Sequence, residues 1–366
     1  MGMSANEEIK TVSATMRAAV YRGVNDVRVE TVPVPEIGAG EVLVKIHTCG
    51  ICGTDLKKIH TGSHDAPRIF GHEMAGTIVK AGEGVNGFAV GDRVMAYHHV
   101  PCGECYYCSK QTFAQCEDYK KVGCTAGFAP SGGGFAEYIR VMDRIVQRGG
   151  LVKIPDEIPF EQAAFLEPVN TCYKAIQLLH LRPDETVLVI GQGPIGVLLA
   201  SIARKTGATV FTSDLYSERH AIAAKFGLDH PLDARGDVVA AAKAATEGRG
   251  ADVALLAVGG NALIKVAMDA IRPGGRVVLF AQTQHGEAPF DPATVCMDEK
   301  TLMGSYSSSA SFNEDVNRLV FDGYRSGFDL TGLISHRFSL EDAVAAIELA
   351  SHPQAASMKI VIQPGS

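Results

Sequence analysis

The sequence predicts an α/β protein in two parts, a β-barrel-like region followed by a parallel sheet covered on both faces by helices. From Met16 to about Arg148, short apolar segments are broken by glycine turns. From about Pro168, strand-like and helix-like segments alternate, the pattern of crossover units in a parallel sheet. The 366 residues also suit about two domains at roughly 150 residues each.

In the first part, Val44 and Ile46 alternate with Lys45 and His47, the period of a half-buried strand. Gly76 to Val79 and Gly91 to Met95 are strand-like, and Gly38, Gly40, Gly82, Gly84 and Gly87 punctuate the region. In the second part, Thr186 to Ile190 is a nearly continuous apolar strand, followed by a helical stretch from Pro194 to Thr206 and a strand from Thr209 to Ser213. Strands are expected at Asp252 to Ala257 and Arg276 to Ala281, with helices at Val238 to Ala245 and Ala262 to Ile271. Near the end, Ser339 can cap a helix, Asp342 can bond back to it, and Val344, Ile347 and Ala350 supply an apolar stripe. There is no internal repeat.

Composition narrows the function. An apolar fraction of 46% and a charged fraction of 20% are those of a globular protein, and a net charge of -7 gives no bulk attraction to nucleic acid. Met1 to Thr15 is polar, with Glu7, Glu8 and Lys10, and lacks the apolar core of a signal peptide. No apolar run reaches the roughly 18 residues of a membrane span. A cytoplasmic location is expected, where thiols stay reduced, so nine cysteines point to metal binding or catalysis rather than disulfides.

Cys102, Cys105, Cys108 and Cys116 stand in CGECYYCSKQTFAQC, with two, two and seven residues between them. Four thiolates at this spacing can close a tetrahedral structural zinc, leaving no position for substrate. Ordinary buried thiols and an iron–sulfur cluster are the alternatives, but the loop lacks the cluster signature and nothing else suggests one-electron chemistry.

Two further segments are CGICGTD, Cys49 to Asp55, and GHE, Gly71 to Glu73. With the cysteine cluster, they make the chain resemble, over essentially its whole length, the zinc-dependent medium-chain alcohol and polyol dehydrogenases. The resemblance implies a GroES-like β-barrel catalytic domain in two pieces, 1–167 and 307–366, around a Rossmann doubly wound domain at 168–306. It implies catalytic-zinc ligands at Cys52 and His72, but not at Cys49. AAFLEPVNTC carries Glu167 where the alcohol branch has a cysteine, and Glu-Pro there resembles the sorbitol branch. Glu73, Glu167, or Glu167 through water could complete the sphere, with Cys172 as a rival. Thr54 resembles the hydroxyl that receives the substrate proton, and Asp55 the carboxylate that orients His72. A turn with its own side-chain bonds is the plain alternative for both residues. The family's relay histidine is Lys57 here, leaving His60 or solvent for the outer relay.

VLVIGQGPIG, Val187 to Gly196, directly follows an apolar strand and opens a helix. Gly191, Gly193 and Gly196, with Pro194 and Ile195 between them, suit a turn that brings backbone N–H groups to a pyrophosphate. Asp214 ends the next strand, twenty-three residues after Gly191, where a carboxylate binds ribose hydroxyls and repels a 2′-phosphate. NAD is therefore expected over NADP. Arg219 and, by resemblance, Thr171 join the cofactor-binding set. Lys359 resembles a basic residue some members use on pyrophosphate, an exposed lysine being the plain alternative.

Resemblance places Thr54, His60, His98 and the zinc ligands on the substrate wall. His98 stands where simple-alcohol enzymes tend to be apolar, and a polar wall suits a polyol or sugar, oxidised by hydride transfer to the ketone. Lys57, Lys58 and Arg68 could instead meet a sugar phosphate, and L-threonine or a simple alcohol are further alternatives. From another class, a non-catalytic zinc- and NAD-binding sensor predicts a missing ligand or hydroxyl, and none is missing. The expected cofactors are NAD and two zinc ions per chain, and the partners a small molecule and other copies of the chain, as a tetramer or dimer. Neither nucleic acid nor membrane is expected as a partner.

Overall fold

A computed structural model describes residues 12–121, 132–281, 286–288 and 290–365. Its two sheet systems follow the two sequence regimes. The alternation around Val44 becomes strand Val42–Gly50, in which Val44 and Ile46 are buried while Lys45 and His47 face outward. This strand pairs antiparallel with Glu73–Ala81, Tyr138–Val141 and Lys359–Gln363 in a seven-stranded sheet. The chain end thus returns to the sheet of the first half, with Ile334–Ser339 parallel beside it.

One junction in this sheet matters for chemistry. Register places Gly50 opposite Glu73 on one side and Val361 on the other, next to Lys359. A Cβ on Gly50 would lie 2.1 Å from Glu73 Oε2 and 2.6 Å from Lys359 Cε, so only glycine lets these side chains cross the strand there.

The second regime forms six parallel strands in the order Pro231–Asp233, Thr209–Asp214, Thr186–Ile190, Ala251–Leu256, Ile271–Leu279, Thr301–Gly304. The sequential order reverses at Thr186–Ile190, and the loop leaving this strand opens into the crevice where such sheets bind ligands. The strand is buried from Val187 to Ile190, and the helix after it, Pro194–Arg204, buries every residue from Gly196 to Ala203. This double covering explains the strand's continuous apolar run. Helix Leu166–Gln177 packs against Pro194–Arg204 and carries Glu167 in its first turn, so it reaches both the zinc region and the nucleotide loop.

The C-terminal helix differs in detail from expectation. It spans Ala343–Ser351, with Ser339 Oγ donating to Asp342 at 2.7 Å and accepting its backbone N–H at 3.3 Å. Ala343, Ala346 and Ile347 are buried, whereas Val344 is 48% exposed. Ile347 is buried as expected and Ala350 packs partly buried against the core, while Ala343 and Ala346 take the place of Val344.

Candidate active site and metal centres

The four clustered cysteines converge. Their sulfurs lie within 4.8 Å of one another, with Cys102 to Cys108 at 3.8 Å and Cys105 to Cys108 at 3.5 Å. A tetrahedron with Zn–S bonds of about 2.3 Å has S···S edges of about 3.8 Å, so the donor set fits zinc without rearrangement. Backbone N–H groups donate to the same sulfurs: Cys105 to Cys102 at 3.3 Å, Cys102 to Cys116 at 3.3 Å and Tyr119 to Cys116 at 3.5 Å. Such donors stabilise thiolate. The backbone N–H groups of Glu117 and Cys108 lead in bringing the Cys105 thiol down to about 6, within reach of metal binding at neutral pH.

The second centre is built at the start of helix Gly53–Thr61, whose N-cap residue is Cys52. Asp55, fully buried, accepts the Cys52 N–H at 3.2 Å and the Gly71 N–H at 3.4 Å, and bonds His72 Nδ1 at 3.1 Å. One carboxylate therefore locks the cysteine loop, the glycine turn and the imidazole together. Burial opposes the Asp55 charge, but His72 and these hydrogen bonds override it and hold the carboxyl at about 2. With Nδ1 committed to Asp55, His72 Nε2 faces Thr54 Oγ1 at 3.5 Å, and Thr54 Oγ1 lies 3.4 Å from Cys52 Sγ.

The donor atoms of Cys52, His72 and Glu73 lie within 4.8 Å of one another. Thiolate, neutral imidazole and carboxylate form a set suited to a catalytic zinc with an open position. Lys359 is buried and ion-paired with Glu73, and it donates to the Ile51 carbonyl at 3.0 Å. Burial, the largest influence, would lower the lysine's pKa, but the Glu73 carboxylate and the other acidic groups of the site together raise it. The sequence expectation of a pyrophosphate contact or an exposed lysine is corrected here: the Lys359 ammonium is turned inward to Glu73.

Glu167 falls in a neighbouring group with His98 and His99, whose donor atoms also lie within 4.8 Å of one another, with Glu167 Oε1 3.5 Å from His99 Nδ1. Burial pushes the Glu167 carboxyl up to about 7, with His72 opposing the shift and the Glu73 charge adding to it. The Val100 N–H bonds the His98 carbonyl at 3.1 Å, and in this bend the consecutive imidazoles pack with centroids 3.6 Å apart instead of alternating as in a strand. Burial foremost drives both rings well below the usual imidazole range, so they are neutral. Sequence reasoning missed His99. The histidine doublet beside His98 was the available signal, but its convergence depends on the bend.

These residues line a cavity of about 380 Å³ with Thr54, Lys58, Tyr119, Thr171, Ile195, Phe280, Ser305 and Ser307. Ile195 brings the nucleotide loop to the metal centre. In that loop Gly191 has φ +98°, and a Cβ on Gly196 would lie 1.8 Å from the Gly191 carbonyl, so both must be glycine. A Cβ on Gly193 would meet nothing within 4 Å, leaving an open cradle at the start of helix Pro194–Arg204 for a phosphate. Asp214 accepts the Gln192 N–H at 2.7 Å and the Tyr216 N–H at 3.0 Å, fixing its carboxylate beside the loop. Arg219 pairs with Asp214 at 3.3 Å and packs on the Tyr216 ring.

Residues 38–156 match the alcohol dehydrogenase GroES-like domain and residues 194–321 the zinc-binding dehydrogenase domain. A sorbitol dehydrogenase of Bacillus subtilis is 31% identical over 97% of this chain and 99% of its own. This chain belongs to the zinc-dependent medium-chain alcohol and polyol dehydrogenases. An L-threonine 3-dehydrogenase of Rhizobium rhizogenes is 30% identical over 86% of this chain and 88% of its own. A structure described as a zinc-binding dehydrogenase of Sinorhizobium meliloti 1021 bound to NADP superposes with a TM-score of 0.85, at 30% identity over 96% of this chain and 100% of that one.

Within this dehydrogenase His60 does not join the cavity, contrary to expectation. Its Nδ1 lies 2.6 Å from Asn25 Oδ1 and its Nε2 2.9 Å from Ser351 Oγ, so both ring nitrogens are engaged on the far side of helix Gly53–Thr61, in a separate cavity. Thr171 lines the active cavity, its hydroxyl donating to the Pro168 carbonyl at 2.8 Å. Cys49 and Cys172 are buried outside both metal sets, Cys296 is exposed, and Cys124 lies outside the described residues. Among the described residues, no helix is long and apolar enough to cross a membrane.

Proposed function

We propose that this dehydrogenase oxidises a secondary alcohol of a polyol or sugar to the ketone, with NAD as hydride acceptor. The observation that carries the reading is the convergence of Cys52, His72 and Glu73, with Thr54 Oγ1 beside the cysteine and the histidine, in a cavity that reaches the nucleotide loop at Ile195. Zinc held by Cys52, His72 and a carboxylate, Glu73 or Glu167, supplies the Lewis acidity that brings a hydroxyl pKa from about 15.7 towards 7. Thr54 Oγ1, beside the thiolate and the imidazole, accepts the substrate proton. With His60 engaged elsewhere and lysine at position 57, the proton continues to solvent. Asp55 keeps His72 in one tautomer, so its Nε2 remains the free donor.

The polar wall supports a polyhydroxylated substrate. Among the described residues the buried His98 Nδ1 and the Ser305 and Ser307 hydroxyls have no hydrogen-bond partner, and His99 Nδ1 has only Glu167 Oε1 at 3.5 Å, so a substrate rich in hydroxyls would satisfy them. The sorbitol dehydrogenase relative supports the same substrate class, and the threonine dehydrogenase relative keeps a hydroxy amino acid as the second reading. Asp214 supports NAD over NADP, because a 2′-phosphate would meet its carboxylate. Cys102, Cys105, Cys108 and Cys116 fit a second, structural zinc, for two ions per chain. We place the enzyme in the cytoplasm as a homo-oligomer, a setting in which its thiols stay reduced. The test is NADH formation by zinc-replete protein across polyols, aldoses, threonine and simple alcohols. Polyol preference supports the reading, and preference for short simple alcohols defeats it.

A further inference from the structure

We infer that the substrate carries an anionic group, a phosphate or a carboxylate, held by Lys58; this inference rests on the polyol-dehydrogenase reading. Lys58 lies on helix Gly53–Thr61 and lines the same cavity as Cys52, Thr54 and His72. It is half-buried, and its ammonium sits 5.5 Å from the centre of the Phe70 ring. Among the described residues no carboxylate lies within 4.0 Å of it. Asp55 feels the Lys58 charge, but its oxygens are hydrogen-bonded to His72 and to the Cys52 and Gly71 N–H groups, Glu73 pairs with Lys359, and Glu167 lies beside His99.

The contrast with Lys359 is informative. There the fold provides a carboxylate for a buried ammonium, whereas at Lys58 it provides an aromatic ring and open cavity. A partly desolvated cation beside a binding cavity gains most from an anion brought in by the ligand. With the polar groups of His98, His99, Ser305 and Ser307, the described lining offers the Lys58 ammonium and several hydrogen-bonding positions. That combination matches a polyhydroxylated anion better than a neutral polyol or a simple alcohol.

The experiment compares kcat/KM for NADH formation on matched substrates: D-sorbitol, its 6-phosphate, and D-gluconate as the carboxylate counterpart. A charge-assisted hydrogen bond predicts a preference of roughly 10- to 150-fold for at least one anionic member, and the arm that shows it distinguishes phosphate from carboxylate. In Lys58→Met that preference should collapse, mainly through KM, and Lys58→Arg should restore most of it. A ratio near one in the wild type, or a ratio unchanged in Lys58→Met, overturns the inference while leaving the dehydrogenase reading intact. Absence of turnover on every member, charged or neutral, overturns both.

Discussion

Replacing Lys359 by methionine removes the cation that pairs with Glu73 among the described residues while keeping most of the side chain's length. Glu73 is 1% exposed and Lys359 7%, so the variant strands a carboxylate in a site with little water. Breaking a buried pair from one side costs about 3–5 kcal/mol. The unfolding entropy of a 366-residue chain, at about 2.1 cal/mol/K per residue, converts this to a loss of about 4–6.5 °C in Tm. Thermal unfolding followed by circular dichroism measures it. Glu73→Gln in the same background should recover most of the loss, because the uncompensated charge disappears. The loss should also be larger in chelated than in zinc-replete protein, since Glu73 lies within 4.8 Å of the Cys52 and His72 donor atoms and a metal there can take up the stranded carboxylate. An unchanged Tm for Lys359→Met, or a loss that Glu73→Gln does not relieve, would refute this reasoning.

Three further outcomes are expected. Cys105→Ser should lower the zinc content from about two ions per chain to about one, read by mass spectrometry of metals; two retained ions would remove the four-cysteine centre from the account. Thr54→Val should keep its zinc yet lose roughly 10²–10⁴-fold in kcat, the usual worth of a positioned proton acceptor, and full activity would exclude the hydroxyl from the proton path. Asp214→Ser should lower kcat/KM for NAD by at least about tenfold and improve it for NADP, because the carboxylate fixed by Gln192 and Tyr216 is lost; unchanged cofactor preference would dissociate Asp214 from the ribose.

Much of the architecture was legible because local periodicity and burial agree. The alternation at Val44 to His47 and the unbroken run at Val187 to Ile190 report one-sided and two-sided burial directly. The four-cysteine lobe was legible for a different reason: its ligands are close in sequence, so spacing alone nearly fixes their geometry. The candidate catalytic centre was readable only through resemblance, since Cys52 caps helix Gly53–Thr61 while His72 and Glu73 stand at the start of a separate strand. What escaped was set by long-range register. Lys359 meets Glu73 because the last strand pairs beside Val42–Gly50 and Gly50 leaves room between them, a relation spread over more than three hundred residues. His60 was placed on the wrong side of its helix because the choice of face is decided by Asn25 and Ser351, which no local pattern reveals. His99 depended on a bend that brings neighbouring rings together.

The most direct test of the central claim is NADH formation from a polyol, neutral or anionic, by zinc-replete protein, measured beside Cys52→Ser protein that retains the four-cysteine zinc. The account predicts steady turnover in the first and a loss of several orders of magnitude in the second, with the remaining zinc unchanged. NAD binding without turnover of any alcohol in the zinc-replete protein would contradict it and point instead to a nucleotide- and zinc-binding protein that performs no hydride transfer.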